Sequence, residues 1–494
     1  WKAWTSGPLA ERKCAYEKNV DFDIGSVTGK TDVQRNGPVT TEEACCVACF
    51  ETAECAASVF NTATSECWLK NQTQLKKRVV RAGRVACLKE ARDGQEEIVR
   101  TQPPAGALVV PATVPGDLIT DLENAGQIQD PLHEMNFLNN SLWEDNSWTY
   151  STSFSATKYY DGTYVLVFDG IKMGARIAVN GVQLGTVTDQ FLRYRFPLAK
   201  AVLQRSATDQ HVLTVQFDKT LKCAGRWMAC TGGWDWAPYS HTAQEGANTF
   251  SKGIWKDVYL VQVNSGSAAI EHFVPHVFYN GPYPASALQE GHHGDFRVHL
   301  TAHLWSATTS KGSITFRNEW GDSPCTVPNV VVPVSKTTMV NCSFTATASQ
   351  IRLWWPNNVG KGTHPLYGVS VEYVSENTAS VTSSPVSTSR KIGFRTFAIV
   401  TGPDENPSYV NASVGKEGTE NNGMFFRVNG AAVFARGANM IPMEELEGRA
   451  DANALHGLVK SAADAGFNIL RNWGGGGFQY NAWYDACDEF GIMI

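Results

Sequence analysis

The sequence predicts a multidomain chain in which a small disulfide-rich α+β module precedes two β-sandwiches and the first part of a (β/α)8 barrel. Three observations carry this. At 494 residues the chain is too long for one core. Seven of its twelve cysteines fall between Cys14 and Cys87, a density typical of small domains that need covalent staples. Finally, short alternating strands fill the middle of the chain, whereas from Val433 onward strand-like and helix-like stretches take turns.

Residues 1–92 form the first module, with the core EEACCVACFETAECAASVFNTATSECWLK. A short helix starting at Thr40 or Thr41 would present Cys45, Cys46 and Cys49 one turn apart, with Cys55 and Cys67 following on strands. Six of the seven cysteines can close three bridges. A zinc site is the rival reading, but CCxxC lacks a second well-spaced ligand pair.

A polar linker with Pro103 and Pro104 opens the second region, 93–265. The segments SWTYSTSF, TYVLVFDG, ARIAVNG, HVLTVQF and DVYLVQV then alternate, and Asn180-Gly181 marks a hairpin, which together predict an antiparallel β-sandwich. The loop CAGRWMACTGGWDWAPYSHT interrupts it and holds Trp227, Trp234 and Trp236 around Asp235. Indoles stack on the apolar faces of sugar rings while a carboxylate accepts from sugar hydroxyls, so Trp-Asp-Trp suits a glycan; a hydrophobic plug is the bland alternative. Cys223 and Cys230 are close enough in sequence to brace this loop.

Residues 266–398 read as an immunoglobulin-like sandwich built on FRVHLTAHLWSA, GSITFRN, IRLWWPN, GVSVEYV and RKIGFRTFAIV, with Cys325 paired to Cys342. Trp354 and Trp355 are expected to serve a rigid spacer. The histidines His292, His293, His299 and His303 lack metal-ligand spacing with nearby acids and read as surface or strand residues.

Residues 399–494 start a (β/α)8 barrel. VFARGANMIP reads as a strand, and Leu455, Leu458, Val459 and Ala462 recur at helical spacing before Gly466. NILRNWGGGG is a second strand, and Trp483, Tyr484, Cys487 and Phe490 share one face of a second helix, leaving Asp485, Asp488 and Glu489 as solvent-facing or helix-end charges. Chemistry in such barrels sits at the C-terminal ends of strands, which singles out Asn439, Arg471 and Trp473. A doubly wound sheet with the same residues as strand caps is the alternative.

The runs ARGANMIP, AGFNILRNWGGGGFQYNAWYDACDEFGIMI and GGWDWAP resemble the β-mannosidase branch of glycoside hydrolase family 2, over residues 95 to 494. Met440, Asn472, Gly477 and Ala237 depart from the usual residues. The resemblance implies a jelly-roll domain for 93–265 and a retaining hydrolase that releases terminal β-linked mannose from glycans. In it, Asp235 and Trp234 hold the terminal sugar, Arg471 supports the nucleophile, Trp473 forms a pocket wall and Asn439 lines the floor. No cofactor is implied. Such enzymes need two carboxylates about 5 to 5.5 Å apart, and the resemblance places both beyond Ile494, so the remainder of the barrel is required. The cysteine pattern resembles a PAN/apple module, which implies Cys14–Cys87, Cys49–Cys55, and Cys67 with Cys45 or Cys46, and a protein or matrix partner. The alternatives are a non-catalytic glycan-binding or structural component of an extracellular assembly, and a family 2 hydrolase of another β-glycoside.

The remaining features agree with that setting. A net charge of −6 shows no basic excess, which speaks against nucleic acid as a partner, and no apolar run reaches about twenty residues, the length of a membrane span. The cysteines, the start at Trp1 without a methionine, and the sequons at Asn71, Asn139, Asn341 and Asn411 point to a secreted or endolysosomal protein.

Overall fold

The computed structural model describes residues 1–6, 15–22, 57–61, 66–70, 78–88, 99–134, 136, 142–172, 174–217, 252–376, 385–401, 424–474 and 478–494. The chain divides into two compact units, Gly7–Ile98 and a larger one made of Trp1–Ser6 with Val99–Ile494.

The smaller unit contains a four-stranded antiparallel sheet in the spatial order Ala15–Phe22, Arg78–Leu88, Ala57–Asn61, Glu66–Lys70. Cys67 and Cys87 lie on its strands. Cys14, Cys45, Cys46, Cys49 and Cys55, the helix expected from Thr40 or Thr41, and the sequon Asn71 lie outside the described residues. The module starts later than its expected first residue. Lys2–Ser6 is a strand of the larger unit, paired between Val109–Pro111 and Ser147–Ser155 with Ala3 in the sandwich core. Five residues are too few for their alternation to say which sheet they join.

The first sandwich stacks a six-stranded sheet on a three-stranded one. Strands Ser147–Ser155, Gln210–Phe217 and Ala175–Val179 lie at the heart of the larger sheet, and Gly162–Phe168 is the middle strand of the smaller. Alternate side chains Trp148, Tyr150, Leu213, Val215, Ile177 and Phe168 fill the space between them. Asn180 and Gly181 both take positive φ, 50° and 81°, which is the two-residue turn expected between Ala175–Val179 and Val182–Thr186. Helix Leu118–Asn124, capped by Asp117, buries Leu118, Ile119 and Leu122 against this core.

The second sandwich packs Ala269–Tyr279, Phe296–Trp305 and Thr337–Ala346 against Cys325–Val332, Ser310–Asn318, Tyr367–Ser375 and Val386–Ile392. The Cys325–Cys342 disulfide joins a strand of one sheet to a strand of the other, and Asn341 beside it is exposed. Two expected strands are otherwise arranged. IRLWWPN forms no ladder, because its amides go elsewhere: Arg352 N donates to Tyr367 Oη, Leu353 N to the Glu290 carboxylate, Trp354 N to Phe394 O and Trp355 N to Thr363 O. RKIGFRTFAIV is split, since Val386–Ile392 ends in this sandwich and Phe397–Val400 pairs with Phe425–Val428.

The expected strand from Val433 is also two elements. Asn429 and Gly430 take φ of 49° and 76°, folding Phe425–Val428 and Ala431–Val433 into a hairpin, and the parallel strand starts only at Gly437. Gly437–Met440 and Ile469–Asn472 pair in parallel across helix Ala452–Asp464, and Met493 bridges to Ile469 in parallel after helix Asn481–Phe490. Leu455, Val459, Trp483 and Cys487 are buried between these helices and strands, with Tyr484 and Phe490 packed on them. Leu458 is exposed instead, because it falls at the margin of the stripe centred on Leu455 and Val459.

Candidate functional site

The parallel pair sets the site. Its register places Asn439 opposite Arg471 and Met440 opposite Asn472. Because side chains alternate along a strand, Met440 and Leu470 sink into the helix-side core while Asn439 and Arg471 stand exposed on the other face. Arg471 Nη1 donates to Asn439 Oδ1 at 3.2 Å, and Trp473 N donates to Met440 O at 3.0 Å, so all three expected residues meet at the C-terminal strand ends. A guanidinium there offers a fixed fork of donors to a carboxylate or to sugar oxygens.

Residues 478–480 meet the first sandwich. Buried Gln479 donates through Nε2 to Asn472 Oδ1 at 3.4 Å, and its backbone N–H donates to Tyr484 Oη at 3.2 Å. A row of rings then crosses from one domain to the other: Phe478 meets Phe191 at 5.5 Å, Phe191 meets Trp255 at 6.0 Å, and Trp255 meets Tyr480 at 5.5 Å between centroids. Trp255 Nε1 donates to Gln190 O at 3.0 Å. The Tyr480 hydroxyl is buried with no hydrogen-bond partner among the described residues. Burial, with the negative charges of Glu447, Asp117 and Glu444 nearby, pushes its pKa well up, so it stays a neutral phenol.

Segment Glu444–Ala450 locks the two domains together. Leu446 is fully buried in the core of the first sandwich. Gly448 N donates to Asp117 Oδ2 at 2.7 Å, while Asp117 Oδ1 caps the 118–124 helix by accepting from Ile119 N and Thr120 N at 2.9 and 3.0 Å. A Cβ on Gly448 would sit 2.7 Å from Thr120 Cβ, so only glycine lets the backbones approach this closely. Arg449 Nη2 donates to Glu123 Oε2 and Asp130 Oδ1, each at 2.7 Å, and its hydrogen bond holds the Asp130 carboxyl below its usual pKa. Lys172 and Glu447 form a buried ion pair.

Beneath the lock, Asp121 accepts from Thr113 N at 2.8 Å and from Tyr150 Oη at 2.7 Å. Burial raises its pKa to about 6 against the lowering effect of these two hydrogen bonds.

Trp234 and Asp235, with Trp227, Trp236, Cys223 and Cys230, lie outside the described residues, as do the sequons Asn139 and Asn411. Asp485 and Glu489 are exposed as expected, whereas Asp488 is half-buried. Its backbone carbonyl accepts from Trp354 Nε1 at 2.9 Å, and its carboxylate faces Arg395, which lies 4.6 Å from the Trp354 ring; burial raises the Asp488 pKa against that attraction. Trp354 therefore holds helix Asn481–Phe490 and is more than a spacer. Sequence reading missed Phe191, Trp255, Phe478, Gln479 and Tyr480. Only Phe478 and Tyr480 carried a signal, as aromatic residues directly after a glycine-rich strand exit.

With this geometry in hand, residues 89–256 match the family described as glycosyl hydrolase 2 galactose-binding domain-like. In sequence the chain is similar to the beta-mannosidase of Rattus norvegicus, 25% identical over 432 residues that cover 78% of this chain and 43% of that protein. It is similar also to beta-mannosidase B of Emericella nidulans, 26% identical over 421 residues covering 80% and 43%. Among solved structures, it shares the fold of the beta-D-mannosidase from Dictyoglomus thermophilum, with a TM-score of 0.59, 23% identity, and coverage of 79% of this chain and 45% of that one. The Amycolatopsis orientalis exo-chitosanase gives a TM-score of 0.58 at 18% identity, covering 81% and 41%. The chain thus spans less than half the length of the relatives it matches.

Proposed function

We propose that this chain supplies the sugar-holding side of a β-mannosidase-like retaining glycoside hydrolase that releases terminal β-linked mannose from glycans. The observation that carries the reading is the Asn439–Arg471 pair exposed at the C-terminal ends of two parallel strands, with Trp473 beside it. In this reading the strands open a (β/α)8 barrel, and the acid/base and nucleophile carboxylates are not among the residues of this chain. Arg471 supports the nucleophile, since a neighbouring guanidinium favours the ionised carboxylate. Trp473 walls the sugar pocket and Asn439 lines its floor. Asp235 and Trp234 reach in from the first sandwich to hold the terminal sugar, a carboxylate for hydroxyls and an indole for the ring face.

Mannose is the sugar of choice because the sequence relatives named above are β-mannosidases. The fold alone is shared with an exo-chitosanase, so it does not choose. The Cys325–Cys342 disulfide and the exposed sequon at Asn341 support a secreted or endolysosomal setting. Among the described residues no helix is long and apolar enough to cross a membrane. The N-terminal module, PAN/apple-like in its cysteine pattern, is assigned a protein or matrix partner.

Hydrolysis of p-nitrophenyl β-D-mannoside, β-D-glucosaminide, β-D-galactoside and β-D-glucuronide by the full-length protein tests the reading. Turnover of the mannoside with β-mannose as first product, lost in Asp235→Ala, supports it. A folded protein that turns over none of the four contradicts it and leaves a glycan-binding or structural component.

A further inference from the structure

The sequon at Asn341 and the Cys325–Cys342 disulfide compete for the same piece of chain. Asn341, Cys342 and Ser343 make up the acceptor triplet Asn-x-Ser, and its middle residue is one end of the bridge. In strand Thr337–Ala346 the alternation leaves Asn341 and Ser343 exposed and sends Cys342 into the core of the second sandwich. A glycan on Asn341 and a closed bridge at Cys342 therefore lie on opposite faces of one strand. The folded domain accommodates both.

Only one order of formation is open. A glycan-transferring enzyme must draw the triplet into its own site, with the Asn amide and the Ser hydroxyl both within reach and the backbone free to bend. In the fold the triplet is held three ways. The ladder pairs Asn341 with Thr301, Cys342 with Leu300 and Ser343 with His299; Ser343 Oγ lies 2.9 Å from His299 Nδ1; and the disulfide ties Cys342 to Cys325 in the opposite sheet. Ladder and hydrogen bond open and close reversibly. A structural disulfide in an oxidising compartment resists reduction, so its closing ends the availability of the triplet.

Timing decides which event comes first. The two cysteines are 17 residues apart. At roughly 5–20 residues per second of synthesis, Cys342 follows Cys325 by about 1–3 s, and disulfide formation takes seconds or longer. Bridge closure and glycan transfer thus fall in the same interval.

We propose that Asn341 is a glycosylation site whose occupancy is set by the Cys325–Cys342 bridge: the glycan is attached before the bridge closes or not at all, and the secreted protein is a mixture of two forms that both carry the bridge. In attachment, the amide nitrogen of Asn341 forms a bond to C1 of a diphosphate-activated glycan as the C1–O bond breaks; the diphosphate leaves and the amide loses a proton. In closure, the two sulfurs join and pass two electrons and two protons to a disulfide donor of the compartment. The proposal rests on the secretory setting and is independent of the hydrolase reading.

The test is occupancy of Asn341 by glycopeptide mass spectrometry in full-length protein made in a eukaryotic secretory host. It is read on newly made chains inside the cell, so that the folding of a variant does not decide the result. Wild type is expected to show both unmodified and glycosylated Asn341. Cys325→Ser keeps the triplet intact while removing the bridge, and is expected to shift to nearly complete occupancy, with Asn139 and Asn411 the same in both proteins. Non-reducing peptide mapping of secreted wild type should find Cys325 joined to Cys342 in both forms. Full occupancy in wild type, equal occupancy in wild type and Cys325→Ser, an equal rise at Asn139 and Asn411, or a glycosylated form with Cys342 unbridged would each overturn the proposal. Asn341 unmodified in both proteins while Asn139 or Asn411 is glycosylated would overturn it and leave the secretory setting standing; no glycan at any sequon would sink both.

Discussion

Asp117 and Asp121 sit four residues apart and are used oppositely. Asp117 is acceptor to three backbone amides and the Thr120 hydroxyl, joining a helix start to segment Glu444–Ala450. Asp121 has fewer donors and a raised pKa of about 6. An unfolded aspartate titrates near ~3.9. Between about pH 4 and pH 6 the unfolded chain therefore loses its proton first, so stability falls as pH rises through that window, by up to roughly 3 kcal/mol. Below both pKa values the carboxyl is neutral in both states and costs nothing. Thermal melting of Asp121→Asn against wild type from pH 4 to 7 checks this: the gap between the two curves should change across the window in favour of the variant at higher pH. A constant gap would mean that Asp121 titrates normally.

At the scale of elements, the 351–366 loop does what no sequence pattern announced. Asn357 Nδ2 donates to Ala463 O and Phe467 O, both at 2.8 Å, and Asn357 N donates to Gly491 O at 2.7 Å. One residue thus satisfies carbonyls at the C-terminal ends of both helices, groups that helix geometry leaves open. Asn357→Ala removes the two Nδ2 bonds and leaves the backbone bond to Gly491 O, so it is expected to cost about 1 kcal/mol, read as a lower urea midpoint at unchanged slope; an unaltered midpoint would refute a stabilising role for the side-chain bonds. The helices themselves were readable because their apolar positions recur every three to four residues. The hairpin at Asn429-Gly430 was as readable as that at Asn180-Gly181 and was passed over, since an apolar run through Val433 disguised the strand end. IRLWWPN misled for a related reason: β-branched and aromatic residues mark burial as well as strands, and here Ile351, Leu353 and Trp355 are buried in the sandwich core without joining a ladder.

Across the whole molecule, the placement of Asn439, Arg471 and Trp473 at strand ends was readable because the alternation of strands and helices from Gly437 marks where each strand stops. Phe191, Trp255 and Phe478 were not, because tertiary contacts such as the docking of Leu446 into the sandwich core and the ion pairs of Lys172 and Arg449 bring these distant segments together. The junction fixes the first sandwich against the strand ends. The central claim is that these strand ends form a sugar pocket whose Arg471 assists an ionised nucleophile. The most direct measurement is kcat/KM for p-nitrophenyl β-D-mannoside in full-length wild type and Arg471→Ala, with folding checked by melting temperature. A loss of about 100-fold or more, carried by kcat, is the expected result for a group that stabilises reacting charge. Arg471→Ala turning over like wild type, in a protein of unchanged stability, would contradict it.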